Sequence, residues 1–203
     1  MILGSHNSWS FLRPQKWWMH LIRFTARCQR HDIRTQYEKF NVRCFDLRLR
    51  FTEQGNIIIA HGLVEFENHQ QRLLFDELPF LDKKGDAYVR VILETRTKKQ
   101  YTPLQISCFR QYCQKFAEIY PNIHFWCGRN LYNWEVDYNF ETPASDGSPV
   151  RKEPSCEEKY SSVCPPKIID DWWPWLYAYI HNPKNIDQGT KSDILLIDYV
   201  DIR

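Results

Sequence analysis

Seven residues spread along the chain carry side chains suited to acid–base work at a phosphate. His6 follows a short apolar run and a glycine in MILGSHNSW. Asp46 and Arg48 stand two apart in VRCFDLRLRF, and His61 closes IIIAH. Glu94 and Arg96 end YVRVILETR, and Asp198 ends ILLID. Two imidazoles and a guanidinium suit phosphodiester cleavage. One ring takes a proton from an attacking hydroxyl and the other returns one to the leaving oxygen, each transfer contributing about 10²–10⁴-fold. An arginine fork binds phosphate oxygens and stabilises charge as it develops. A buried carboxylate fixes the base's tautomer and favours its charged form.

These groups act together only if the fold gathers them. From Arg43 to Phe51 the chain alternates strictly, with Phe45, Leu47, Leu49 and Phe51 on one face and Asp46, Arg48 and Arg50 on the other, which is the period of a strand. Met1–Leu3, Asn56–Ala60, Tyr88–Thr95, Ile123–Cys127 and Ile194–Tyr199 also read as strands, the second joined to Phe51 by a tight connection. Trp17–Cys28, Glu67–Leu78, Pro103–Tyr120 and Ile168–Ile180 read as helices, and 141–166, with five prolines, as a long loop. Strands alternating with helices imply a mostly parallel α/β sheet, closed here as a distorted or trimmed TIM barrel in one domain, 1–203. In such a barrel the C-terminal strand ends share one mouth, where His6, Asp46, Arg48, His61, Glu94, Arg96 and Asp198 would meet. The competing reading is bland. A strand-end histidine is usually a surface or capping group, and alternating charges usually mark a solvated face. Complementary acids and bases on five strand ends outweigh it.

Composition removes other classes. The chain has 203 residues, 26% charged and 43% hydrophobic, with a net charge of +2, so nothing demands nucleic acid. Its mean hydropathy is −0.57, and runs such as DILLIDYV fall well short of the roughly 20 residues of a membrane helix. The start lacks the cationic and long apolar regions of a signal peptide, so it does not read as one, while a mature form with its leader removed stays open. Seven cysteines contain no CxxC pair. Cys108 and Cys113 read as helical core. Cys156 and Cys164 flank a loop, and both a disulfide and two free thiols stay open. Eight tryptophans include the clusters Trp17-Trp18 and Trp172-Trp173-Pro174-Trp175, which suit either core packing or a membrane interface.

The ordered set GSHNS, CQRHDIRTQYEKFNVRCFDLRLRF and IIIAHG resembles the X-domain of phosphatidylinositol-specific phospholipase C, nearest its bacterial single-domain form. The resemblance is strong over 1–100 and weaker beyond. It implies a barrel-fold phosphoric diester hydrolase and lyase that cleaves phosphatidylinositol-type lipids to diacylglycerol and an inositol cyclic phosphate. It gives His6 the role of general base, His61 that of general acid and Arg48 that of phosphate ligand with Asp46 in support. Asp198 is placed as the carboxylate orienting His6. Arg96 and Arg129 would line the inositol pocket, and in CEEKY Glu158 would accept a hydroxyl while Tyr160 stacks on the ring. Trp17 and Trp18 fall in the interval of the family's interfacial aromatics, which implies transient binding to a membrane surface. A secreted or membrane-peripheral location goes with a lipid substrate.

One departure matters. Bacterial members place aspartate after the first histidine, whereas Asn7 resembles the calcium ligand of the eukaryotic enzymes. Arg48 and Arg96 stand where further acidic ligands would be needed, and two cations about 4 Å from Ca²⁺ would repel it. The expectation is therefore no cofactor, with calcium held by Asn7 and Asp46 as the alternative. Glu94 is then the candidate carboxylate for His61. Two rival readings remain: a metal-dependent glycerophosphodiester-type phosphodiesterase on the same fold, and a non-catalytic barrel that binds phosphoinositides or other anionic ligands. The sequence is silent on oligomeric state.

Overall fold

The computed structural model describes residues 1–67, 76–94, 101–130, 136–137, 156–159, 173–187 and 193–202. Its centre is β1 (Ile2–Ser5), parallel on one side to β2 (Cys44–Phe51) and on the other to β9 (Ile194–Ile197). Beyond β2 come β5 (Tyr88–Leu93) and β6 (His124–Asn130), both parallel, and β8 (Cys156–Lys159) lies parallel to β9. Three antiparallel additions complete the described sheet. These are β3 (Ile57–His61) on β2, β4 (Val64–Glu65) on β3 and β7 (Val136–Asp137) on β6. The architecture is mixed α/β, with an open path from β7 to β8 among the described residues.

The helices are fixed by their ends. Asp32 caps α1 (Ile33–Phe40) by accepting from the Thr35 N–H at 2.8 Å, and Asn41 ends it in the left-handed region. α2 (Leu78–Lys84) ends at Gly85. Thr102 and Gln105 form a reciprocal capping box at the start of α3 (Pro103–Ile119). α4 (Pro174–Asp187) starts on a proline, whose missing N–H needs no partner in a first turn.

Pairing register sorts every strand into two faces. Phe45, Leu47, Leu49, Val89, Val91, Leu93, Leu195 and Ile197 turn toward the helices, where Ile33, Leu78, Leu81, Phe109 and Phe116 complete the main core. The other face is layered. Cys44, Trp126, Ile194 and Leu196, with Ile2 and Tyr88, form an apolar floor. One step along each strand, charge begins: Asp46 pairs with Arg90, and His6 and Asp198 follow the paired Ser5 and Ile197. Gly4 lies in the floor, where an added Cβ would stand 2.3 Å from Leu196 Cδ2 and 3.1 Å from Cys44 Cβ. Gly4→Ala is therefore expected to cost about 1–3 kcal/mol by overpacking. At roughly 2–4 °C per kcal/mol for a chain of this size, calorimetry would read a drop of several degrees.

Several expectations are corrected. Trp17–Cys28 is not an α-helix but two short 3₁₀ turns, Trp17–His20 and Arg23–Thr25. The first has neither a side-chain cap nor an acid in its first turn. The expected loop 141–166 contains β8, which borrows its hydrogen bonds from the buried β9. The last helix extends to Asp187. The expected helix Glu67–Leu78 lies mostly outside the described residues, and α2 begins where it was to end. Residues 168–172 and Cys164 also lie outside them. Cys113 is buried on α3 and Cys108 half-buried.

Candidate active site

The tip of β1 is tied down before its imidazole is aimed. The His6 N–H donates to Ile197 O at 2.9 Å, and the Gln29 amide donates to His6 O and Ile197 O. Asn7 then takes a left-handed φ of 42°, which asparagine tolerates better than most side chains. That turn lets the Asn7 N–H donate to Asp46 Oδ2 at 2.8 Å and the Ser8 N–H to Asp46 O at 2.9 Å. His6 is left with Nδ1 2.7 Å from Asp198 Oδ1 and Nε2 3.9 Å from Asp46 Oδ2.

His61 arrives from the other side on β3. Its ring meets that of His6 edge to face, with centroids 5.3 Å apart. Nδ1 of His61 lies 3.2 Å from Ala26 O and 3.7 Å from Cys28 Sγ, so the segment after the second 3₁₀ turn orients it. Gly62, at φ 55°, makes the turn that follows. Arg50 holds that turn by donating to Gly62 O at 2.6 Å.

A buried ladder of alternating charge lies beside the two rings. Arg90 Nε donates to Asp46 Oδ1 at 2.9 Å, and Arg48 Nε donates to Asp46 Oδ2 at 2.8 Å. Arg48 Nη1 reaches Glu94 Oε2 at 3.2 Å, and Glu94 also accepts from the Gly62 N–H and the Asn130 amide. All of these side chains are nearly inaccessible to solvent. Burial opposes ionisation of Asp46, yet Arg48 and Arg90 hold its carboxyl well below the usual carboxylate range. Burial pushes the His6 imidazole well below its ordinary value, and Arg48 adds to that. His61 is lowered by the same two causes, with Glu94 and the Ala26 carbonyl opposing them. Burial raises the Asp198 carboxyl, while the Cys28 thiol and Arg48 pull it back. Burial thus disfavours the charged form of both partners, His6 and Asp198.

The structure thus gathers His6, Asn7, Asp46, Arg48, His61, Glu94 and Asp198. It does not bring Arg129 to them. Leu93 pairs with Arg129, so Arg129 takes the register of the helix-facing side, and its neighbour Asn130 reaches Glu94. Glu158 stands in register with Leu196. Arg96 and Tyr160 lie outside the described residues. Sequence reading missed Arg90, Asn130 and Cys28. The signal for Arg90 was a lone charge two residues from Ile92 and four from Glu94 in an otherwise apolar strand. Trp17 is 78% exposed, whereas Trp18 packs against the core. Leu21, Phe24, Trp173 and Trp175 are exposed as well, and the rings of Phe24 and Trp173 lie 6.3 Å apart. Trp172 lies outside the described residues.

Solved structures with this architecture exist. The chain is similar to the phosphatidylinositol-specific phospholipase C from Listeria monocytogenes, with TM-score 0.59 and 14% identity over 98% of this chain and 87% of that one. It is similar to a variant of the phosphatidylinositol-specific phospholipase C from Staphylococcus aureus, with TM-score 0.59 and 18% identity over 98% and 84%. The chain shares their fold. No family model matches its sequence, and no curated protein matches it.

Proposed function

We propose that this chain is a phosphodiesterase that cleaves phosphatidylinositol-type lipids at a membrane surface, on a trimmed barrel spanning 1–203, by paired histidines and without a metal. The observation that carries the reading is the edge-to-face pair His6–His61, with Asp198 behind one ring and the charge of Arg48 acting on both. His6 donates Nδ1–H to Asp198 and takes the proton of the inositol 2-hydroxyl at Nε2. That oxygen attacks phosphorus and closes a cyclic phosphodiester. His61, oriented through Nδ1 by Ala26 O, gives its Nε2 proton to the departing diacylglycerol oxygen. Arg48 supports the equatorial oxygens as charge builds. Arg96, Glu158 and Tyr160 belong to the inositol pocket in this reading, and a membrane-peripheral or secreted location follows from the substrate.

The acidic residues fit calcium poorly. Asp46 already accepts from two guanidiniums, and Glu94 accepts from Arg48. A hard dication bound through Asn7 and Asp46 would have to displace Arg48 and then sit against its charge. The test is phosphorus NMR of phosphatidylinositol vesicles incubated with the protein. A cyclic inositol phosphate formed in the presence of chelator is the expected product. Activity abolished by chelator would favour the glycerophosphodiester-type rival, and binding without turnover would favour the non-catalytic one.

The lowered histidines set the pH profile. The base stays unprotonated to lower pH than an ordinary histidine, and the acid loses its proton sooner as pH rises. The kcat/KM profile is expected to be a bell with its maximum below 6.5, the ordinary histidine value. A maximum in alkaline solution would contradict the assignment.

The exposed aromatics around Trp17 and Trp173 supply the membrane contact in this reading. Trp17→Ala is expected to weaken vesicle binding roughly 10-fold, since burying a large apolar side chain contributes about 1.5–3 kcal/mol. Sedimentation with vesicles measures it, and hydrolysis of a soluble short-chain substrate should be unchanged.

A further inference from the structure

Cys28 is a buried thiol with no part in the chemistry above, yet it stands within that chemistry's centre. Its backbone is fixed on both sides, the N–H donating to Ser10 Oγ at 2.9 Å and the carbonyl accepting from the Tyr199 N–H at 2.6 Å. Its sulfur has donor atoms of His6 and Asp198 as neighbours, the three lying within 4.8 Å of one another and all three side chains buried. His61 Nδ1 adds a further nitrogen 3.7 Å from the sulfur.

We propose that His6, Cys28 and Asp198 form a binding site for a soft divalent cation of the zinc class. Three observations support it. The donor set joins a thiolate, an imidazole and a carboxylate, the combination that suits zinc and disfavours calcium or magnesium. The spacing is close to what a tetrahedral ion requires: Zn–S is about 2.3 Å and Zn–N and Zn–O about 2.0–2.2 Å, so ligand atoms sit some 3–4 Å apart. Small side-chain rotations close the difference, because the His6–Asp198 contact at 2.7 Å has only to open by about an ångström. Third, Asp198 Oδ2 is buried with no hydrogen bond of ordinary length among the described residues, and the Cys28 thiol itself acts on that carboxyl. The nearby guanidiniums are paired with carboxylates, Arg90 with Asp46 and Arg48 with Asp46 and Glu94, which offsets part of the positive charge that a bound cation would meet. Binding releases the Cys28 thiol proton to solvent. If Nδ1 of His6 takes the metal, its proton moves to Nε2, and if Nε2 takes the metal the proton stays on Nδ1.

The site itself stands on this geometry. Its consequence rests on the phosphodiesterase reading: a metal bound to the general base and its carboxylate arrests turnover, which makes the site inhibitory.

Cobalt(II) serves as the probe because a thiolate ligand gives it a charge-transfer absorption that nitrogen and oxygen donors lack. The wild-type protein, purified without metal, is expected to bind one equivalent of Co²⁺ with that absorption, and Zn²⁺ should abolish it. Cys28→Ser should remove the absorption and weaken Zn²⁺ binding by at least about 10-fold, the scale already reached when only outer-shell partners are lost. Cys113→Ser, in the helical core, should keep both. Should Cys28→Ser fail to fold, Asp198→Asn read by the same titration should weaken Zn²⁺ binding to a similar degree. Absence of the absorption in the wild type overturns the site, as does its survival in Cys28→Ser. If the absorption follows the expected pattern but the protein never turns over phosphatidylinositol, the metal site stands and the enzymatic reading falls.

Discussion

Replacing Asp198 with asparagine is expected to lower kcat by about 10³–10⁴-fold while leaving the protein no less stable. The loss in rate comes from His6. In the proposed reaction Asp198, 2.7 Å from Nδ1, accepts its proton, which keeps Nε2 as the basic nitrogen and stabilises the imidazolium formed during attack. An amide in that place can present its N–H₂ to Nδ1 and select the wrong tautomer, an exchange that costs about 10⁴ in kcat in a serine protease triad. The stability argument runs the other way. Burial raises the Asp198 carboxyl in the folded state, so its ionised form at neutral pH works against folding and a neutral amide removes that cost. The Asn182 amide donates to the Asp198 backbone carbonyl at 2.6 Å, a bond the substitution leaves intact. Steady-state kinetics and calorimetry on the same preparation separate the two effects. A fall in Tm in proportion to the rate would make Asp198 merely structural. Asp198→Glu tests reach, since one extra methylene must move either the carboxylate or the ring.

Which parts of this arrangement were legible in the letters follows from the physics of each element. β2 was legible because strict alternation over eight residues admits only a strand, and its charged face is buried rather than solvated because Arg90 of β5 and Glu94 just after it neutralise Asp46 and Arg48. The hairpin to β3 was legible for the same reason, its turn being too short for a crossover. Arg129 shows the limit. Side chains alternate between faces along a strand, so a one-residue uncertainty in register exchanges Arg129 for Asn130. No local pattern resolves that, because the register is set by β5. Arg90 was hidden for a related reason: its partner Asp46 is 44 residues away, and only the parallel pairing of β2 with β5 places them opposite. The segment Trp17–Cys28 failed differently. Its apolar spacing suits a helix, but the chain must wrap around the tip of β1 so that Ala26 O meets both His61 Nδ1 and the Asn7 amide. Tertiary contact overrides local preference there, and Cys28 enters the site with it. α1 and α3 show the reverse case, since their caps are written in adjacent letters, Asp32 with Thr35 and Thr102 with Gln105.

Arg48 is where stability and chemistry depend on the same atoms, and a pair of variants separates them. Arg48→Met keeps much of the volume and removes the charge. Asp46 retains Arg90, but among the described residues Glu94 keeps only the neutral donors Gly62 N–H and the Asn130 amide. Breaking one side of a buried ion pair costs about 3–5 kcal/mol because the other charge is left uncompensated. Activity should fall by about 10²–10³-fold or more, the scale for losing one donor to a developing oxyanion. Adding Glu94→Gln to Arg48→Met removes the uncompensated charge, so unfolding in denaturant should show part of the stability restored while the rate stays low. Recovery of both together would mean that Arg48 acts only as a scaffold. The residual activity carries a second signature. Arg48 is, after burial, the leading cause of the low values of His6 and His61, so its loss lets both rise and the bell moves to higher pH. Arg48→Lys retains a charge but not the fork. One ammonium cannot reproduce the paired reach to Asp46 Oδ2 and Glu94 Oε2, so this variant should keep the acidic profile while losing most of the rate.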